Sequence, residues 1–249
     1  MILACRASAS LVLKCVPYEV LSGAVTMLDD VNPAVFAELM YAVNAAPWDI
    51  GGPQPVIRQL VALGAVRGEV LDPGCGTGWH AIEYARAGCS VTAIDLAPTA
   101  IARARNNART AGVEAQFVLG DATALDYQAR FDTVVDSKCL DNLDGSETRG
   151  RYLRSLYRAM KPQGRLFLYG FGPGHVNGFH NHELDGIDYE MALTAAGFTI
   201  TYLGETTYRL SIPSYRRICT DCPHQVPPDG QIHIPMIEIH AVRNGLWQA

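Results

Sequence analysis

The stretch Val70-Leu71-Asp72-Pro73-Gly74-Cys75-Gly76-Thr77-Gly78 carries the clearest chemical pattern in the 249-residue chain. An apolar run enters three alternate glycines and then a helical pattern, so backbone can approach a ligand where a Cβ would collide. The helix start adds N–H groups that have no intrahelical partner. A dinucleotide fingerprint, G-x-G-x-x-G, needs its third glycine at position 79, where this chain has Trp79. The glycines at 74, 76 and 78 form G-x-G-x-G instead, with Asp72 two residues ahead. Asp95 closes the next β-branched run, 17 residues past Gly78, where a carboxylate can accept both hydroxyls of a ribose. Two further acids end strand-like runs, Asp121 in Gly120-Asp121-Ala122 and Asp136 in Asp136-Ser137.

Those acids need a frame that brings four strand ends to one rim. From residue 66 onward strand-like and helix-like stretches alternate. The strands span 68–72, 90–95, 116–119, 131–136 and 164–170. Helices span 77–87, closed by Gly88, and 98–111, opened by Pro98 and stopped by Gly112. After Glu147, the residues Leu153, Leu156, Tyr157 and Met160 recur at helical spacing. Such alternation joins through right-handed crossovers and predicts a parallel sheet covered on both faces. Beyond the fifth strand the pattern changes: a helix near 189–196 ends at Gly197, and strands six and seven span 198–203 and 234–242. The long, Pro-rich connection between them predicts a closing antiparallel pair at one sheet edge. Ahead of the sheet, Asn32-Pro33 starts a helix with Phe36, Leu39, Met40 and Val43 on one face, and 55–64 is a second helix. Residues 48–55 between them are dense in Gly and Pro and predict no regular element.

The glycine turn and its preceding acid resemble motif I of the class I S-adenosylmethionine methyltransferases. The order of Asp95, Asp121 and Asp136 behind it extends that resemblance over roughly residues 32–242. Trp48-Asp49-Ile50-Gly51-Gly52-Pro53-Gln54-Pro55, residues 70–78 and Asp95-Leu96-Ala97-Pro98-Thr99-Ala100-Ile101 are similar to the thiopurine methyltransferase-like group, which includes enzymes that methylate heterocyclic toxins. The resemblance implies an α/β fold: a Rossmann-like, seven-stranded, mostly parallel sheet with antiparallel strand 7 at the edge, helices on both faces and an N-terminal helical cap. It implies S-adenosylmethionine as cofactor, with S-adenosylhomocysteine as product. The residues so implicated are Trp48, Asp72, Gly74, Cys75, Gly76, Thr77, Gly78, Asp95, Leu96, Asp121, Ala122, Asp136 and Ser137. Among them Asp95 takes the ribose, Asp121 takes the adenine amino group, Asp136-Ser137 lines the methionine end, and Trp48 packs over cofactor or acceptor. Many relatives carry a His a few residues past the fourth-strand acid. Here Asp136-Ser137-Lys138-Cys139-Leu140-Asp141-Asn142 offers Asp141, as a substitute base or as the start of a turn.

A thiolate or heterocyclic nitrogen needs only alignment with an activated methyl donor, whereas a phenol or alcohol gains from a general base. The catalytic candidates are Asp141 and His182. The substrate candidates are Trp48, Asp141, His175, His180 and His182, the histidines lying in the loop after the fifth strand. Neither those histidines nor Cys219, Cys222 and His224 reach the four-ligand spacing of a structural zinc site, so no metal is expected. Lys plus Arg number 20 against 25 Asp plus Glu, a net charge of −5, and the Asn/Asp-Pro-Pro-aromatic motif of base-modifying enzymes is missing after the fourth strand. Both points disfavour a nucleic-acid partner. No apolar run approaches the ~20 residues of a membrane helix, and seven cysteines suit a reducing cytoplasm better than a disulfide framework. Residues 1–26 read as a peripheral extension and 27–249 as one domain, with a cap over 27–64 and the core over 65–249. The expected function is methyl transfer to an N, S or O atom of a small heterocyclic or aromatic acceptor, by a monomer or homodimer. A non-catalytic S-adenosylmethionine-binding regulator is the alternative, and a nicotinamide oxidoreductase is a third reading.

Overall fold

In β1 (Glu69–Pro73) the neighbours Val70 and Leu71 point to opposite faces of the sheet, and both are fully buried. A strand enclosed on both sides must be central and parallel, and so it is. The computed structural model describes residues 33–171, 186–211 and 230–245. Its strands continue as β2 (Ser90–Asp95), β3 (Gln116–Leu119), β4 (Phe131–Ser137), β5 (Met160–Phe171), β6 (Phe198–Ser211) and β7 (Gln231–Arg243). Among the described residues they form one sheet in the order β3-β2-β1-β4-β5-β7-β6. The first five strands are mutually parallel, and β7 runs antiparallel to both β5 and β6. The chain thus builds outward from β1 to β3, then returns to β4 on the other side. That reversal opens a crevice at the carboxyl ends of β1 and β4.

The expected Rossmann-like α/β architecture is present, with one adjustment of position. Strand β7 lies one place in from the edge, and β6 is outermost. The crossover from β5 through α6 sets β6 parallel to β5 but two places away, and the last strand fills the gap by pairing with both. Strand β6 is also longer than its apolar pattern suggests. Its second half, Gly204-Glu205-Thr206-Thr207, lacks alternation, yet it pairs with β7 as far as Ser211 opposite Gln231.

The helices are α1 (Pro33–Ala42), α2 (Pro55–Ala62), α3 (Trp79–Arg86), α4 (Pro98–Ala111), α5 (Gly145–Ala159) and α6 (Gly186–Ala195). One face of the sheet packs Val70, Val91, Ala93 and Phe117 against Ile57 and Leu60 of α2, Ala81 and Ile82 of α3, and Ile101 and Ala104 of α4. The other packs Leu71, Val134, Leu166 and Ile239 against Tyr152, Leu153 and Leu156 of α5, and Tyr189 and Leu193 of α6. A third cluster joins Met40 and Tyr41 of α1 to Ala97 and Ala100 at the start of α4. There the Glu38 carboxylate accepts from the Thr99 amide at 3.0 Å and from its hydroxyl at 2.5 Å. An acid at a helix N-terminus meets orphan donors and the positive end of the dipole, which holds the cap over the crevice.

Candidate active site

Helix α3 begins at Trp79 because Gly78 ahead of it is left-handed, with φ of +82°. Gly74 and Gly76 are left-handed too, at +70° and +52°, a conformation that costs any L side chain about 1–2 kcal/mol. Space forbids a side chain as well. A Cβ on Gly76 would lie 2.6 Å from the Tyr41 hydroxyl, and one on Gly78 would lie 2.8 Å from Ala104 and Phe117. The Gly74 and Cys75 amides both donate to the Ile94 carbonyl, which ties the turn to the end of β2.

Asp95 faces that turn. Its Oδ2 accepts from the Gly76 amide and its Oδ1 from the Ala97 amide, both at 2.8 Å. Burial pushes its pKa up while those amides pull it down. Asp72 is buried beneath the glycines, and neither of its oxygens meets a donor in good hydrogen-bond geometry. Burial drives its pKa well up, and the charges of Asp95 and Asp136 add to that. The Ala81 amide opposes that rise, and buried carboxylate oxygens without a well-formed hydrogen bond are rare and call for a partner. Cys75 is buried with its thiol pKa raised, so it fills space rather than reacting. Leu96 is exposed at the rim, and Asp121, also exposed, caps the 3₁₀ turn Ala122–Ala124 by accepting from the Thr123 amide at 2.8 Å.

Asp136 points inward. It accepts from the Cys139 amide at 2.7 Å, the Leu140 amide at 3.2 Å and the Tyr152 hydroxyl at 2.8 Å, with burial raising its pKa to about 7. Ser137 shares a 2.9 Å hydrogen bond with the Tyr208 hydroxyl of β6. Asp141, in the 3₁₀ turn Leu140–Asn142, is buried and accepts from the Lys138 ammonium at 2.5 Å, the Phe171 amide at 2.6 Å and the Tyr189 hydroxyl. Three of its roughly four lone-pair sites are taken, one of them by a cation. His175, His180, His182, Cys219, Cys222 and His224 lie outside the described residues.

Four residues that the sequence did not single out hold this rim together. Asp49 accepts from the Thr77 hydroxyl at 2.9 Å and the Trp79 indole at 3.1 Å. Gln54 gives its amide to the Arg209 carbonyl at 2.9 Å and accepts from the Arg209 amide at 2.8 Å. Tyr41 accepts from the Trp48 indole at 2.8 Å, with the two rings edge to face. Lys138 is the fourth. Asp49 and Gln54 stood in the marked segment 48–55 and Lys138 in 136–142, yet nothing local distinguishes a pinning Asp from a turn Asp.

Residues 70–164 match the family model described as "Methyltransferase domain". The chain is 35% identical over 140 residues to a 2-heptyl-1-hydroxyquinolin-4(1H)-one methyltransferase of Mycobacteroides abscessus, covering 54% of this chain and 61% of that one. It is 28% identical over 164 residues to a probable thiol methyltransferase of Arabidopsis thaliana, covering 65% and 72%. A solved structure concerned with conversion of a disulfide bond into a thioacetal group during echinomycin biosynthesis superposes with a TM-score of 0.69 at 28% identity, covering 81% and 86%. The chain thus spans less than two thirds of the quinolone methyltransferase it matches. Residues 70–164 match a methyltransferase domain, set in a Rossmann-like fold.

Proposed function

We propose that this chain is an S-adenosylmethionine-dependent methyltransferase acting on an N, S or O atom of a small heterocyclic or aromatic molecule. The observation that carries the reading is the glycine turn. Three left-handed glycines leave bare backbone between Asp95 at the rim and an unpartnered carboxylate, Asp72, below. That donor set suits a ligand with a ribose at one end and a cationic amino acid at the other. The similarity to a quinolone methyltransferase and a thiol methyltransferase supports a small acceptor.

In this reading each Asp95 oxygen, having accepted one amide, keeps a lone pair for a ribose hydroxyl. Asp121, Ala122 and Leu96 border the adenine. Asp72 and the backbone of Gly74, Cys75, Gly76, Thr77 and Gly78 receive the methionine end. Trp48, braced on Tyr41, covers it and excludes water. When bound, the cofactor supplies a methyl group on a sulfonium, already activated for in-line displacement. The chain's remaining task is to align the acceptor. Asp136 serves through the turn it caps, which brings Ser137 and Lys138 to the rim, and Asp141 acts as a positioning group that ties β4, β5 and α6 together.

Calorimetry with S-adenosylhomocysteine tests the reading. The wild-type chain is expected to bind, and Asp95→Ala to lose at least about 100-fold in affinity, since two charge-assisted hydrogen bonds at ~1.5–3 kcal/mol each are removed. No heat with the wild-type chain, or an unchanged affinity in the variant, overturns it.

A further inference from the structure

Lys138 is a non-glycine residue with φ of +74°, at the carboxyl end of β4. Its backbone is held there from both sides, the amide donating to the Tyr169 carbonyl at 3.0 Å and the carbonyl accepting from the Asn142 amide group at 2.5 Å. Strain of this kind in a bulky residue persists where the surroundings over-determine it, and such places cluster at working sites. The side chain is 16% exposed. Its ammonium sits 2.5 Å from Asp141 and 3.1 Å above the centre of the Phe171 ring, the last residue of β5. The charged and titratable groups that face it are Asp141 and Asp136, with the Tyr189 hydroxyl of α6 bonded to the far oxygen of Asp141. Burial pulls the Lys138 pKa down, and the two carboxylates oppose that.

The position of this cation matters. The turn that carries it abuts the glycine turn, since a Cβ on Gly74 would lie 3.0 Å from the Cys139 Cβ. The residues suited to a nucleoside, Asp95 and Asp121, end β2 and β3, so the rim over β4 and β5 is the half left for an acceptor. A bare ammonium beside a sulfonium would repel it. Its pairing with Asp141 offsets part of that repulsion, and the ammonium keeps N–H donors beyond the one Asp141 uses.

We propose that Lys138 binds the acceptor as its anion, so that the substrate class is an acidic heteroatom, a thiol or an enolic or phenolic hydroxyl on an aromatic or heteroaromatic body. This rests on the methyltransferase reading above. The acceptor gives its proton to solvent and its lone pair takes the methyl carbon from sulfur. The sulfur keeps the electron pair of the broken bond, so anion and sulfonium charges cancel. Lys138 does not move a proton; it raises the fraction of acceptor that is ionised at neutral pH, and no histidine base is required.

The test uses 4-nitrophenol, whose ionised form absorbs visible light, added to the full chain saturated with S-adenosylhomocysteine. In the wild-type protein the bound probe should titrate about 1–3 pH units below the free probe, the effect of a close opposite charge. Lys138→Arg should keep most of that shift. Lys138→Met should lose it while binding S-adenosylhomocysteine within about threefold of wild type. A purely structural role for Lys138 would leave the probe's titration unmoved. The proposal is overturned if the probe fails to bind, binds without a shift, or titrates alike in wild type and Lys138→Met. It is also overturned if the enzyme methylates imidazole or quinoline nitrogens and neither thiols nor phenols. Failure of the wild-type chain to bind S-adenosylhomocysteine overturns the methyltransferase reading instead, so the two outcomes are distinguishable.

Discussion

Asp72, Asp95 and Asp136 are alike in type and in their place near strand ends, and their surroundings give them three different jobs. Asp95 meets two amides and faces the rim, Asp72 has only the Ala81 amide nearby and no well-formed hydrogen bond, and Asp136 spends its oxygens on the turn 139–142 and on Tyr152. The Asp136 pKa, about 7, makes a stability prediction with a definite sign. A carboxyl whose folded pKa exceeds the unfolded one binds protons more tightly when folded. Its stabilisation is complete below the unfolded value and is lost as pH rises through the folded one. The stability gap between wild type and Asp136→Asn should therefore shrink by about 2–3 kcal/mol from pH 5 to pH 8 in urea unfolding. His80, half-buried with desolvation lowering its pKa to about 4, contributes with the opposite sign but cancels in the difference between the two proteins. A gap that does not change with pH would show that Asp136 titrates normally. At this scale the sequence located the acids correctly, since strand ends follow from local pattern. It did not show which way each one points.

The segment 47–54 works as an element although it is neither helix nor strand. Asp49 pins it to Thr77 and Trp79, Gln54 and the Pro47 carbonyl pin it to Arg209 and Ser211 of β6, and Trp48 leans on Tyr41 of α1. It straps the cap across the glycine turn. Asp49→Ala removes three hydrogen bonds, from Thr77, Trp79 and the Gly51 amide, and should cost about 2 kcal/mol of stability, with about a tenfold loss of S-adenosylhomocysteine affinity as the strap loosens. Thermal unfolding and calorimetry on one preparation measure both, and a full loss of stability with unchanged affinity would make the strap a structural tie only. The regular elements from β1 to α5 were legible because their apolar periods are strong and their ends are marked by glycines. Gly88 and Gly112 do adopt φ of +84° and +67° at two such ends. The second half of β6 was not legible, because an outer strand beside β7 can carry Glu205, Thr206 and Thr207 without an apolar alternation.

Across the whole molecule, one sheet serves two cores, and each core draws on helices from a different stretch of chain. Leu153 of α5 is fully buried against the second face, so Leu153→Ala should cost about 3 kcal/mol through lost transfer energy and the cavity left behind. Because the strands are shared, near- and far-ultraviolet circular dichroism should report the same single transition in both proteins. Separate midpoints would mean that the two faces unfold independently. Sequence alone determined the alternation of strands and helices, the crossover hand, the glycine turn and the row of acids, all of which depend on sterics and polarity within a few residues. Tertiary structure decided that β7 enters between β5 and β6, that Asp136 turns inward, that Lys138 meets Asp141 beside Phe171, and that Gln54 reaches Arg209. Those outcomes depend on partners 16 to 155 positions apart, and short-range periodicity carries no information about which distant group arrives.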